Sequence, residues 1–535
     1  MSFARFRIPK RVAHKCFGVR QFVETAFALG VLLGMLSCGG AQGSPSANLN
    51  NSSSDPSGNA TGNVTGVTNT IYVNSNGTQV IPQDLSSTTI AAYIPNGSGG
   101  FTKITGTGTA NGTFTVPLVP NGKYWLQEGN NFFWTDVSAI DTSTAVLGRP
   151  NPVYPSNGVT LDFNVNRPPT STQQNSNCCT WYVPNLGVSR LYSLNETGPG
   201  AWSGTGPWLN NSSLTAPLMD AGGGDAGYLL VYPGGALSSP FVTAQEFGGP
   251  VSVTMTDGGI TTVNGTTNAI VASKSFRANI QGSAFQSLQP LVHPSATPFD
   301  EGGQSGIAVK VQPFTTQYGA LVTYPVFLMS NPSLISASMN VMSANTDYGD
   351  IAYGDPFPAG FTEYVQYLDS VALGVDFGMS LLGEIGGVTT SIPSATQPVT
   401  PMLGPVVSPT IDGSDYHTAL LASTTPTLAW KPPSVGTAQY YAVYFGAKST
   451  TAEGNPTIVN PMWFYTADTS ITIPPGVLSF GNGYVSLIRA YSSPSIDFTK
   501  TPLLQGMPYA WADVLSPLSP SSSGSGGTPP PTPSP

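Results

Sequence analysis

The chain has 535 residues, too many for one hydrophobic core, so three or four domains are expected. Hydrophobic residues make up 40% but charged residues only 8%, against roughly 25% in an average soluble protein, so Ser, Thr, Asn, Gln and Gly must cover the surface. Six of the 18 basic residues (Arg5, Arg7, Lys10, Arg11, Lys15 and Arg20) precede residue 21, and residues 38–535 carry a formal net charge of −14 with no basic patch. That excludes nucleic-acid binding, which needs clustered Lys and Arg to neutralise phosphates.

Helices with salt-bridged outer faces cannot be built from so few charges. Strands with Thr- and Ser-rich outer faces and Gly, Pro and Asn turns can, and the 61 Gly and 49 Pro are enough to punctuate many of them. The expectation is an all-β chain, a multi-domain string of β-sandwiches with a disordered N-terminal tether and C-terminal tail.

In chain order, residues 1–37 read as a signal peptide: a basic start, then the apolar run Ala26–Leu36, too short to span a bilayer. Met35-Leu36-Ser37-Cys38-Gly39-Gly40 follows and resembles the lipobox of bacterial lipoproteins, which implies that Cys38 becomes the lipid-carrying first residue. Leu36 is bulkier than the residue usual there, and ordinary signal-peptidase cleavage nearby is the alternative. Residues 38–67 are Gly-, Ser- and Asn-rich and are expected to form a flexible tether. The address implied is the cell envelope, by a lipid anchor in the outer membrane or at the cell surface, or otherwise secretion.

Residues 68–166 alternate short apolar strands with turn clusters, as in Ile71-Tyr72-Val73, Thr89–Ile94 and Leu161–Val165. Here GTFTVPLVPNGKYWLQ (Gly112–Gln127) resembles a stretch of carboxypeptidase-regulatory-like, transthyretin-like β-sandwiches, implying a spacer or accessory module. Phe114 and Val116 would face one side, Pro120-Asn121-Gly122 would turn, and Tyr124 and Leu126 would return to the same core.

Residues 167–400 continue the alternation in Gly227–Tyr232, Val251–Met255, Gly306–Val311 and Ser338–Met342, and are expected to make one large or two smaller sandwiches. Only Phe361–Leu373 reads as a short helix. Residues 401–518 resemble a fibronectin type III domain, an Ig-like sandwich: Pro426–Trp430 would carry the core Trp, Tyr440–Phe445 the next strand, and Leu478–Tyr484 a corner in which the Tyr hydroxyl bonds upstream backbone. No Arg-Gly-Asp triplet occurs, so adhesion is not implied. Residues 519–535 are a Ser/Gly/Pro tail.

Chemistry-bearing residues are few. Of three histidines, His14 lies in the leader, and only His293 and His417 could serve a hydrolase; no Gly-x-Ser-x-Gly elbow occurs. Asp347, Asp350 and Asp355, Asp220 and Asp225 around AGGG, and Asp300-Glu301 lie on Gly-bearing loops that could hold calcium, the one cofactor suggested, or could simply cap turns. Cys178 and Cys179 invite a vicinal disulfide, with two free thiols or an intermolecular bridge as alternatives. Trp181, Trp202 and Trp208 lie close in sequence, the last two in the Gly-bearing GAWSGTGPW, and could stack on sugar rings or belong to the core.

Two readings follow. One is an exported, lipid-anchored envelope or surface protein with a non-catalytic binding or structural role toward a polysaccharide or envelope protein. The alternative is an extracellular carbohydrate-active hydrolase using carboxylates of 167–400. The scarcity of His, Lys and Arg favours the first.

Overall fold

The computed structural model describes residues 52–54, 60–74, 77–168, 179–208, 216–232, 242–299, 307–313, 329–330, 340–342, 346–349, 359–369, 381–389, 391, 396–450, 456–479, 483–516 and 519–520. The leader, Cys38 and the chain after Pro520 lie outside them. Strand is the dominant regular element of the described residues and helix is scarce, as the composition dictates.

The N-terminal sandwich packs two sheets around one core. In the first, Ala60–Val67 pairs antiparallel with Thr113–Pro120 and parallel with Ala139–Asp141. The second runs Phe101–Thr105, Ile90–Pro95, Tyr124–Glu128, Asn131–Thr135. Phe114 and Val116 descend from the first sheet and meet Tyr124 and Leu126 from the second, with Val64, Ile90 and Phe133 completing the core. Pro120-Asn121-Gly122 is therefore a passage between sheets. Gly122 takes φ +123°, open to glycine and strained for other residues.

The tether expected over 38–67 ends earlier than its composition suggested. Ala60–Val67 is a strand and Val64 is buried. Gly66 lets the Phe114 ring lie flat on the backbone, since a Cβ there would overlap that ring. Small residues here admit a neighbour and do not mark a linker.

The middle sandwich is one eight-stranded path, 188–192, 179–183, 227–231, 246–251, 260–269, 160–166, 201–207, 195–198, curled so that its halves face each other. Phe163 from one half meets Trp181 from the other edge-to-face at 5.5 Å. Thr160–Asn166, expected to close the first module, lies inside this sheet, parallel to Ile260–Ala269 and antiparallel to Ala201–Pro207. The module boundary thus falls before residue 160. Alternation shows that a strand exists and says nothing of which sheet recruits it. The strand at Val251 also stops there, short of the expected Met255.

The helix expected at Phe361–Leu373 is the strand Ala359–Asp369, paired on both sides with Ile307–Pro313 and Leu381–Thr389. Its Phe, Thr, Tyr and Val suit a strand, and a short apolar run fits either period. Two short helical segments, Gly282–Gln286 and Gln289–Val292, stand elsewhere. No helix among the described residues is long and apolar enough to cross a membrane.

The C-terminal sandwich sets the sheet 414–415, 407–411, 427–431, 470–472 against a sheet containing 509–516, 484–492, 440–450 and 456–466. Trp430 is buried between them, edge-to-face with Tyr441. Tyr484 accepts a hydrogen bond from the Ser479 backbone N–H at 2.9 Å, the upstream bond expected of that corner.

This last sheet does not end with its module. Tyr509–Ser516 pairs with Leu381–Thr389, and Pro456–Thr466 pairs with Asn131–Thr135 of the N-terminal sandwich. One fourteen-stranded sheet crosses from the first module to the last and on into the middle region.

Candidate functional site

The junction between the first and last sandwiches starts from the pentapeptide Asn131-Phe132-Phe133-Trp134-Thr135. Alternation aims Phe132 and Phe133 to opposite faces, and both are buried. The parallel register sets Phe132 beside Phe464 and Phe133 beside Tyr465, and both ring pairs stack, at 4.7 and 5.2 Å between centroids. Trp125 meets Phe464 edge-on at 5.6 Å and donates its indole N–H to the Thr472 carbonyl at 2.9 Å. Such rings carry large buried area and a preferred geometry, so the junction is rigid.

Trp134 is half-buried beside this ladder. Its indole N–H donates to Asp468 Oδ2 at 2.9 Å, and the Lys123 ammonium donates to Asp468 Oδ1 at 2.6 Å. Asp468 is held in turn, its backbone N–H donating to the Thr466 hydroxyl at 2.8 Å. The ring's orientation is thereby set from both modules.

In front of it lies a groove of about 310 Å³. One wall is the hairpin Ile90–Pro95/Phe101–Thr105 with its Asn96–Gly100 turn, the floor carries Trp134, and the other wall is Ser470–Thr472. Asn96 Oδ1 accepts from the Ser98 hydroxyl at 2.7 Å and the Gly100 N–H at 2.9 Å, fixing the rim. The lining mixes aromatic surface with neutral amide and hydroxyl groups, and the described lining residues carry no titratable side chain. Its size is at the low end for small-molecule sites, about 300–1,000 Å³.

The residues singled out from sequence sit elsewhere. Trp181, Trp202 and Trp208 are all buried in the middle core, which corrects the stacking expectation for them: no ring presents a face to solvent. Trp181 is held where Gly227 leaves room for it, and the Arg167 guanidinium covers Trp202 at 4.1 Å. Trp208 donates its indole N–H to the Pro217 carbonyl at 3.0 Å. Cys179 is buried and disulfide-bonded, so it is not a free thiol, and Cys178 lies outside the described residues.

Asp347 is exposed on a strand paired with Lys274–Phe276, while Asp350, Asp355, Asp300 and Glu301 lie outside the described residues. Among the described residues no three His, Cys, Asp or Glu gather as metal ligands. Asp220 accepts from the Gly222 N–H at 2.9 Å as a turn cap. Asp225 is fully buried and takes both arms of Arg149 at 2.8 and 2.9 Å. His293 and His417 stand edge-to-face with ring centroids 5.1 Å apart, and His293 Nδ1 accepts from the Ser295 backbone at 3.2 Å, closing a local turn.

Other carboxylates serve the cores. Arg167 and Glu246 form a buried bidentate pair at 2.9 and 2.7 Å, with the Thr267 hydroxyl donating to Glu246 at 2.7 Å. Arg489 holds Asp513 at 2.6 and 2.8 Å. Glu128 is buried in the N-terminal sandwich with the Thr68 hydroxyl donating to it at 3.0 Å, and burial pushes its carboxyl up to about 7 against the lowering effect of its hydroxyl partners. Sequence reasoning missed Trp134, Phe101 and Asp468. Their meeting depends on a strand pairing across more than 300 residues, for which a single sequence carries no local signal.

No family model and no curated protein matches this chain. Among solved structures, a tetra-tandem repeat in the extending region of a large adhesion protein is 11% identical, covering 84% of this chain and 99% of that one, with a TM-score of 0.10. Two B repeat units of the collagen-binding protein of Staphylococcus aureus are 11% identical, covering 76% and 100%, with a TM-score of 0.09. Likenesses at these scores carry no argument about role, and the all-β sandwich architecture stands on the chain's own strands.

Proposed function

We propose that this chain is an exported, lipid-anchored envelope protein that binds a ligand without transforming it. The observation that carries the reading is the groove at the junction, whose described lining presents fixed aromatic surface beside neutral amide and hydroxyl groups, a surface suited to holding a ligand. The buried carboxylates Asp225, Glu246 and Asp513 are committed to arginines, and an acid so held is not available for proton transfer.

Export is supported by the leader and by the oxidised state of Cys179, since disulfides persist outside the reducing cytosol. Cys178 is the proposed partner, and a peptide spanning both cysteines, mapped without reductant, is expected to be two hydrogens light. The Phe114/Val116 to Tyr124/Leu126 core and the Trp430 and Tyr484 positions support the carboxypeptidase-regulatory-like and fibronectin type III-like identities of the two outer modules.

Fractionation tests the anchor: the native chain should sediment with membranes and the Cys38→Ser variant should be released. Retention of the variant rejects lipid anchoring. Release of reducing sugar from any polysaccharide by the purified chain rejects the non-catalytic role.

A further inference from the structure

We infer that the junction groove is a subsite for one or two rings of a neutral pyranose sugar, with Trp134 as the stacking platform. This rests on the binding role proposed above and names its ligand class. Three observations select it.

The first is the platform. A pyranose has one face of axial C–H groups that packs on an aromatic ring, and an indole serves best when its orientation is prepaid. Trp134 meets that condition: its N–H is tied to Asp468 and its ring packs against Trp125 at 5.3 Å, so neither bond needs to be broken for a ligand to lie on the exposed part.

The second is the rim. Sugar hydroxyls need neutral donors and acceptors around the platform. The amide nitrogen of Asn96 donates to none of the described residues, because only Oδ1 holds the turn, and the exposed Ser470 hydroxyl, which donates to the Leu428 carbonyl at 3.1 Å, adds an acceptor to the lining from the other module. Phe101 adds a second half-exposed ring along the wall.

The third is charge. The lining is uncharged, the adjacent Lys123 and Asp468 neutralise each other, and the chain is acidic as a whole. An anionic glycan or a phosphate polymer would meet no compensating cation in the groove and a repelling field outside it. A neutral ring meets neither penalty.

The test uses the full chain in detergent, titrated with short neutral oligomers of glucose, mannose, galactose and N-acetylglucosamine and with a uronate oligomer, followed by calorimetry and tryptophan fluorescence. At least one neutral oligomer should bind saturably, with Trp134→Ala weakening it roughly tenfold. Ser470→Trp should do the same, since it fills the groove from an exposed position, while its melting temperature falls only by what the lost bond from the Ser470 hydroxyl to the Leu428 carbonyl contributes. Wild-type affinity in both variants overturns the groove as the site while leaving the binding role intact. Preference for the uronate overturns the neutral class. If the native chain retains no oligomer and no envelope polysaccharide, both this inference and the binding role fall.

Discussion

Trp134 and Asp468 are 334 residues apart in sequence and joined by one hydrogen bond of 2.9 Å between indole N–H and carboxylate. The bond runs from the first sandwich to the last. It both orients the groove's aromatic floor and ties the two modules beside their shared strands. Asp468→Ala is expected to cost about 1–2 kcal/mol of stability, from one charge-assisted bond and a mostly solvated ion pair with Lys123. Denaturant unfolding measures that loss, and the same variant should weaken the proposed sugar binding severalfold because the indole is released.

Phe464 supplies the packing at this junction, fully buried and stacked on Phe132. Phe464→Ala should cost about 3–5 kcal/mol, the range for a deleted core aromatic ring. Because the ring is shared, the loss should uncouple the modules. Calorimetry should show their common transition splitting in two.

Glu128 makes stability depend on pH. Its folded-state value of about 7 lies above the unfolded value near 4.5, so between those values the folded state holds a proton that the unfolded chain has released. Stability therefore falls as pH rises from about 4.5 to 7 and is flat above. The shift corresponds to roughly 3 kcal/mol. Glu128→Gln should remove that slope and leave the protein more stable than the native chain at pH 8, as melting curves across pH would show.

Arg167 and Glu246 test what the buried pairs do. Arg167→Met strands a buried carboxylate and uncovers the Trp202 ring, and about 3–5 kcal/mol of destabilisation is expected. Arg167→Met combined with Glu246→Leu removes both charges and should recover most of the loss. A double variant as unstable as the single one would show that packing on Trp202, and not charge, sets the effect.

Much of the fold was legible because its signals are local. The shortage of charge forbids helical surfaces, period-2 alternation marks strands such as Ile71–Val73 and Tyr440–Phe445, and the resemblance of Leu478–Tyr484 to a tyrosine corner implies a hydroxyl-to-backbone bond that is present. What failed was assignment between partners. Thr160–Asn166 reads as a strand from either module, and only the presence of Ile260–Ala269 and Ala201–Pro207 decides its sheet. The groove failed to show for the same reason, since Trp134 gains its role from Asp468 and Ser470. Trp202 and Trp208 lie in the Gly-bearing GAWSGTGPW, which in sequence looks like an exposed loop, yet both rings and Trp181 are buried in the core, where the distant Gly227 leaves room for Trp181.

The claim on which the groove depends is that Asn131–Thr135 is an interior strand of one continuous sheet. Residue-resolved hydrogen exchange on the full chain tests it directly. Pairing with Tyr124–Glu128 on one side and Pro456–Thr466 on the other engages successive amides in turn, so slow exchange is expected at every amide from Phe132 to Thr135. Slow exchange at alternate amides only, with the rest as fast as an open edge, would mean that the outer modules are not joined and that the groove between them does not exist.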